Sequence, residues 1–201
     1  MTPLDDLERL LADVTMAPYI VKGMALIGFS RKAGGNMFRH QIGTMAILID
    51  YKIIDPVLLK AAVIHDLFED AAGLPGVTKE EITRIDADGP AVYNLVMEVT
   101  RRMDAQMPDK KEKKSEFLLR IMTAGSPKAK TLKLADRISN ITALGFVNEV
   151  RFVRDYIAET RSYVLPYAKA VNPDMHLELS DLLDSRERLL AALELANVPA
   201  T

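Results

Sequence analysis

Apolar residues recur at helical spacing along almost the whole chain, and no segment shows the strict alternation that is typical of a β-strand. Proline, glycine and capping residues divide this pattern into separate stretches. The helices predicted in this way cover residues 3–14, 17–33, 40–52, 56–70, 90–102, 110–124, 127–144, 149–171 and 175–196, with a further helix after Thr78. We therefore predict an all-α fold, a bundle of roughly eight or more helices in one domain over residues 1–201.

Several predicted helix starts carry a recognisable cap. Asp55 and Ser126 each precede a proline, which is tolerated at the first helical position because its missing N–H would have no partner there. Thr78, three residues before Glu81, forms a capping-box pattern. Pro166 lies inside the stretch 149–171 and is expected to kink or break it.

Composition excludes several classes of protein. The 201 residues are 49% hydrophobic and 27% charged, which is typical of a soluble globular protein, and the net charge of -2 gives no reason to expect nucleic acid as a partner. The absence of cysteine excludes disulfides, thiolate zinc sites and cysteine nucleophiles. No apolar run is long enough for a membrane span, and no basic segment precedes an apolar one at the N-terminus, so we expect no membrane partner and a cytoplasmic location.

The predicted helix 56–70 is apolar until it ends in His-Asp-Leu-Phe-Glu-Asp. On a continuous helix, His65, Asp66, Glu69 and Asp70 would share an arc of roughly 140°, with His65 beside Glu69 and Asp66 beside Asp70. Burying these groups without a partner would be costly. A bound metal ion is the simplest partner.

Two further residues suit the same ion. His40 begins one predicted helix, and Asp136 lies within another, in the segment Lys-Leu-Ala-Asp-Arg-Ile-Ser-Asn. If these helices pack together, two imidazoles and two carboxylates converge. Such a set of nitrogen and oxygen ligands suits Mn²⁺, Fe²⁺, Zn²⁺ or Mg²⁺, and a carboxylate-rich site favours Mn²⁺. The third histidine, His176, is interpreted as structural.

The whole pattern is more specific than any of its parts. An upstream histidine, then His-Asp-x-x-Glu-Asp, then Lys-Leu-Ala-Asp-Arg-x-x-Asn resembles the HD superfamily of metal-dependent phosphohydrolases. Within it, the likeness is strongest to the hydrolase domain of the RelA/SpoT alarmone enzymes and their small stand-alone relatives. The resemblance covers about residues 22–144, and residues 146–201 show only general helical character.

This resemblance implies a role for each motif residue. The implied metal ligands are His40, His65, Asp66 and Asp136, with Mn²⁺ as the usual ion, and Glu69 and Asp70 are the implied pair that orients and deprotonates the attacking water. Arg31 and Lys32 are implied to lie against the nucleotide base, with Asn140 near the sugar and the metal. The implied reaction removes pyrophosphate from the 3′ position of guanosine tetra- or pentaphosphate, a small-molecule nucleotide, and leaves GDP or GTP.

The sequence departs from the family pattern around the first histidine and after Asn140. Met37-Phe38-Arg39 replaces a common Pro-Tyr, Gln41 replaces a proline, and Thr142-Ala143 stands where Arg-Thr is expected. The substrate could therefore be an adenine alarmone, NADPH or a nucleoside monophosphate instead. A metal- and nucleotide-binding sensor without turnover is the alternative from another class, against which the intact Glu69-Asp70 pair argues.

Four basic features have two interpretations each. Arg31-Lys32 could contact the base or could be the basic end of a helix. Arg101 could attract phosphate or could be part of a solvated face, and Arg137 could contact phosphate or could brace Asp66 or Glu69. The run 110–114 is interpreted as a solvated face, with phosphate steering as the second reading.

Overall fold

The computed structural model describes residues 3–103 and 110–196, and within these ranges the chain is all-α, as predicted. The described residues form no β-strand, although Met103 and Lys111 make an isolated antiparallel bridge. A polar loop predicted around Met107 lies outside the described residues. The α-helices are α1 (Pro3–Ala12), α2 (Ala17–Gly23), α3 (Met37–Asp50), α4 (Pro56–Ala62), α5 (Leu67–Asp70), α6 (Lys79–Thr83), α7 (Gly89–Val99), α8 (Lys114–Ala124), α9 (Pro127–Ala143), α10 (Val150–Tyr163), α11 (Leu165–Val171) and α12 (Pro173–Ala196).

The described residues group into two compact units. The first takes its residues from 1–29 and 36–112, and the second from 30–35 and 113–201. In the first unit α4 packs against α3 and α7, and α6 packs against α7. In the second unit α12 packs against α9, α10 and α11. The single domain expected from the sequence stays a prediction.

The predicted caps are present. Asp55 accepts a hydrogen bond from the amide of Leu58 at 2.9 Å, and Ser126 accepts one from the amide of Ala129 at 3.1 Å. Thr78 accepts from the amide of Glu81. These bonds satisfy amides that have no partner within the first turn of a helix, so they fix where α4, α6 and α9 begin.

The predicted helix 17–33 is wrong in its second half. After α2 the chain makes one 3-10 turn, Met24–Leu26, and Gly28 then adopts a φ of +89°, which a continuing right-handed helix does not allow. Arg31 and Lys32 consequently lie in a non-helical segment. Their interpretation as the basic end of a helix is therefore also wrong.

The predicted helix 56–70 is interrupted at residues 63–66. The amides of Ile64 and Leu67 bond to carbonyls three residues back, which tightens the chain into turns between α4 and α5. The side chains of Val63, Ile64 and Leu67 are fully buried, and their packing outweighs the helical periodicity. The four-residue arc inferred for a continuous helix is therefore wrong, and His65 and Asp66 lie on a turn.

The remaining differences are at helix ends. The break expected near Pro166 is confirmed, because α10 ends at Tyr163 and α11 begins at Leu165. Helix α8 begins at Lys114 instead of residue 110, since Lys111 bridges to Met103. No helix in the described part of the chain is long and apolar enough to cross a membrane.

Candidate metal centre

Two histidines and an aspartate converge in the first unit. His40 lies in the first turns of α3, and His65 and Asp66 lie on the turn between α4 and α5. Asp66 Oδ2 is 3.6 Å from His40 Nε2 and 3.2 Å from His65 Nε2. The two imidazole rings meet edge to face with centroids 5.1 Å apart, and both side chains are almost completely buried. These three residues of the first unit are all among the ligands predicted from the sequence.

The orientation of His65 suits a metal ligand. Its Nδ1 lies 2.8 Å from the carbonyl oxygen of Ala62, so the Nδ1–H form donates to the backbone and Nε2 carries the lone pair. Metal-binding histidines commonly use one nitrogen for such a backbone contact and the other for the ion. With two Nε2 atoms and one carboxylate oxygen directed together, the donor set fits a divalent cation such as Mn²⁺, Fe²⁺ or Zn²⁺.

Gln41 contacts the aspartate of this cluster twice. Its side-chain amide donates to Asp66 Oδ2 at 2.9 Å, and its side-chain carbonyl accepts from the backbone amide of Asp66 at 3.4 Å. Gln41 is fully buried on α3. In the sequence, Gln41 is a departure from the family pattern. Its contact with Asp66 spans 25 positions, so no local sequence pattern could predict it.

Glu69 is held by cations within the first unit. Its Oε1 lies 3.2 Å from Lys111 Nζ and 4.0 Å from Arg101 Nη1, and its Oε2 accepts from the backbone amide of Arg101 at 3.4 Å. Lys111 belongs to the run that the sequence assigned to a solvated face; it is exposed there, and its ammonium also binds Glu69. The prediction that His65 lies beside Glu69 assumed a continuous helix, and the helix is interrupted between these two residues.

Asp70 differs from an ordinary surface aspartate. Part of its side chain is exposed, but the protein around the carboxyl group desolvates it partially, and the carboxylates of Asp66 and Glu69 lie nearby. Partial desolvation and these like charges raise the pKa of Asp70 to about 6. Lys111 opposes this shift.

A partly buried ionic cluster anchors the helix that leads to the site, and no pattern in the sequence predicted it. Lys60 of α4 is 4% exposed and binds Asp86 at 2.8 Å and Asp88 at 2.6 Å. The hydroxyl of Tyr19 donates to Asp86 at 2.7 Å. Burial opposes ionisation of Asp86, but the hydrogen bonds from Lys60 and Tyr19 hold its pKa below the ordinary value. Lys60 and Tyr19 lie 26 and 67 positions before Asp86 in the chain, so local periodicity could not predict these contacts.

Asp136 lies in the middle of α9 in the second unit and is buried. Its Oδ2 is 2.9 Å from Lys133 Nζ, and its Oδ1 accepts from the side-chain amide of Asn140 at 2.5 Å. Arg31 donates in turn to the side-chain oxygen of Asn140. The non-helical segment that carries Arg31 is therefore tied to α9, whereas the side chain of Lys32 is exposed.

Arg137 and Lys114 flank the Tyr156 ring in the second unit. The guanidinium carbon of Arg137 lies 4.4 Å from the ring centroid, and Lys114 Nζ lies 4.3 Å from it. Both cations approach Glu159 Oε2, at 3.7 and 2.9 Å, and Arg137 also donates to the hydroxyl of Thr160. Burial and the nearby Arg137 lower the pKa of Lys114. Lys114 is half-buried, so the predicted solvated face does not hold for it.

Comparison with known proteins places this chain in a class. The family model described as HD domain matches residues 18–161, well over half of the chain. The chain therefore belongs to the HD domain family, as the motif pattern predicted.

Within this family, the chain is similar to particular proteins. The chain is 31% identical over 155 residues to the guanosine-3′,5′-bis(diphosphate) 3′-pyrophosphohydrolase MESH1 of Drosophila melanogaster, covering 73% of this chain and 79% of that protein. It is 31% identical over 166 residues to the GTP pyrophosphokinase rsh of Brucella ovis (strain ATCC 25840 / 63/290 / NCTC 10512), and this match covers 81% of this chain and 21% of the relative. The chain thus spans about a fifth of the length of the rsh proteins that it matches.

A solved structure supports the same relationship. It is described as a metazoan ortholog of SpoT that hydrolyzes ppGpp and plays a role in starvation responses. The TM-score is 0.67 at 25% identity, and the match covers 85% of this chain and 94% of that chain. The fold and the family expected from the sequence are confirmed.

Proposed function

We propose that this protein is a metal-dependent phosphohydrolase that removes pyrophosphate from the 3′ position of guanosine tetraphosphate (ppGpp) or pentaphosphate. The convergence of His40, His65 and Asp66 at one point of the first unit carries the proposal. The names of the MESH1 relative and of the solved SpoT ortholog support the choice of ppGpp. The composition-based expectation of a cytoplasmic location is part of this proposal.

The proposed ion is Mn²⁺, held by His40, His65 and Asp66. The likeness to the HD motif adds Asp136 as a further ligand, and this assignment rests on the sequence motif. When bound, such an ion supplies a Lewis acid that polarises a phosphoryl oxygen and lowers the pKa of water.

Glu69 and Asp70 are proposed to handle the proton. Water attacks the phosphorus atom attached to the 3′ oxygen, its oxygen forms the new P–O bond, and the bond from phosphorus to the 3′ oxygen breaks. The carboxylates accept the proton that water loses and return one to the 3′ oxygen, so that GDP and pyrophosphate are formed from ppGpp and water. Lys111 and the backbone of Arg101 hold Glu69 in place for this role.

Basic residues of the second unit suit a substrate with several phosphates. Among the described residues of this unit, Tyr156 is close to the cations Lys114 and Arg137, while Arg31 also acts on it and Lys133 pairs with Asp136. Such cations attract anions and accelerate their encounter with the protein. The family motif implies substrate contacts from Arg31, Lys32 and Asn140. We propose phosphate contacts from two further residues, Arg101 and Arg137.

The test is a substrate panel assayed with purified protein and Mn²⁺. It contains ppGpp, its adenine counterpart, NADPH and GMP, each with a matched EDTA control and with Glu69→Gln as the inactive reference. We expect pyrophosphate release from ppGpp with Mn²⁺, and none with EDTA.

The other outcomes separate the alternatives. Turnover of NADPH or GMP without turnover of ppGpp would replace the substrate and keep the hydrolase. Binding of metal and ppGpp without any product would contradict hydrolysis and favour a sensor. Equal product from wild type and Glu69→Gln would contradict the proposed role of Glu69.

A further inference from the structure

Gln41 is the residue that we infer to position the aspartate ligand of the metal centre, and thereby to set how tightly this protein holds its ion. The inference rests on the proposed metal site. Gln41 is a positioning residue, because its contacts are to Asp66 and the proposed ligands do not include it.

The two hydrogen bonds fix both ends of Asp66. One holds the carboxylate oxygen Oδ2, and the other holds the backbone amide of the same residue. Asp66 lies on a turn with φ −95° and ψ 0°, where no continuous helix restrains its orientation. Because the Gln41 side chain is hydrogen-bonded to both groups, it limits rotation of the Asp66 carboxylate about the side-chain bonds of Asp66.

Gln41 lies next to another proposed ligand, His40, and its two hydrogen bonds to Asp66 act as a brace for the carboxylate beside that imidazole. Gln41 follows His40 directly in α3, and both side chains are buried in the first unit. The same oxygen, Asp66 Oδ2, lies 2.9 Å from the Gln41 amide nitrogen and 3.6 Å from His40 Nε2. One short segment of α3 thus supplies an imidazole and the group that orients the carboxylate beside it.

The brace is neutral, which matters for a cation site. An amide donor orients a carboxylate while leaving its full negative charge, whereas an ammonium or guanidinium would compete with the ion for that charge. Outer hydrogen bonds of this kind typically change metal affinity by about 10–100-fold when they are removed.

The experiment measures Mn²⁺ binding directly, from the electron paramagnetic resonance signal of free Mn²⁺ in a titration of metal-stripped protein. Gln41→Met keeps the length of the side chain and removes both hydrogen-bonding groups. We expect its Mn²⁺ dissociation constant to rise by about 10–100-fold. Thr100→Val is the matched control, because Thr100 is a buried polar residue of the first unit whose hydroxyl bonds to the backbone carbonyl of Val96. This control should bind Mn²⁺ as wild type does.

Circular dichroism and thermal unfolding of the metal-free proteins separate a positioning role from a folding defect. If Gln41→Met does not fold, Gln41→Asn, which keeps the amide on a shorter side chain, takes its place, with weaker Mn²⁺ binding again expected. A folded Gln41 variant that binds Mn²⁺ as tightly as wild type would overturn the inference and leave the metal site intact. Wild-type protein that binds no divalent ion would overturn the proposed metal site, and the inference with it.

Discussion

The two segments that carry the motif aspartates hold them in opposite ways. Asp66 of the first unit lies on a turn and is bound by the neutral amide of Gln41, whereas Asp136 of the second unit lies within a continuous 17-residue helix and is bound by the ammonium of Lys133. A neutral brace leaves the negative charge of Asp66 to be compensated by a cation. The ammonium of Lys133 already offsets part of the negative charge of Asp136, so this carboxylate is stabilised before any metal ion binds.

The largest expected effect is at the histidine on the turn. His65→Ala removes an imidazole from the first unit, and we expect a fall in metal affinity of more than about 100-fold, since losing an outer contact alone costs up to that amount. Metal-dependent activity should be lost with it. Metal content per chain after gel filtration measures the effect.

The matched control for this change is His176→Ala, which removes the histidine interpreted as structural. It should keep its metal. Full metal content in His65→Ala would contradict the ligand assignment and remove the contrast between the two segments.

Glu69→Gln is expected to lower kcat by about 10²–10⁴-fold, because it removes a group proposed to accept the proton from water. Its metal content should stay at the wild-type level, which distinguishes it from His65→Ala. Steady-state kinetics with ppGpp and a metal assay on the same sample measure both quantities. Unchanged kcat would contradict the assignment of this carboxylate.

In the second unit, Lys133→Met is expected to lower the free energy of unfolding of the metal-free protein by about 3–5 kcal/mol, because it leaves the buried carboxylate of Asp136 without its ammonium. Urea titration measures the loss. The double variant Lys133→Met with Asp136→Asn should recover much of it, since no uncompensated charge remains. A single variant as stable as wild type would show that the charged brace is unimportant.

The smallest effect concerns the partly buried cluster of Lys60, Asp86 and Asp88, which lies outside both segments. Asp86→Asn should lower the free energy of unfolding at neutral pH by about 1.5–3 kcal/mol, the range for hydrogen bonds to charged groups. Because the folded-state pKa of Asp86 lies below the unfolded value, its contribution is present at neutral pH and is lost as the pH falls through the folded-state pKa. The difference between wild type and Asp86→Asn should therefore shrink in acid, and a difference independent of pH would contradict this account.

The same contrast explains what could be predicted from the sequence. The capped starts of α4 and α9 follow from local chemistry, and so does the helical class, so these were predicted correctly. The interruption at residues 63–66 could not be predicted, because the apolar periodicity continues through it. Burial of Val63 and Ile64 determines the backbone conformation there.

Long-range polar contacts formed the other gap. The sequence predicted His40, His65 and Asp66 as ligands from their pattern, but gave no sign that Gln41 would grip Asp66. Lys111 reaches Glu69 across 42 positions, and charge patterning alone placed it on a solvated face. Such contacts depend on how helices pack, which a local pattern does not contain.

The most direct test of the central claim is a metal reconstitution. Protein stripped with EDTA is titrated with Mn²⁺, while bound ions per chain and pyrophosphate release from ppGpp are measured on the same samples. We predict no release from the metal-free protein and a rate that rises in proportion to bound Mn²⁺. Pyrophosphate release at the full rate without bound metal would contradict the account.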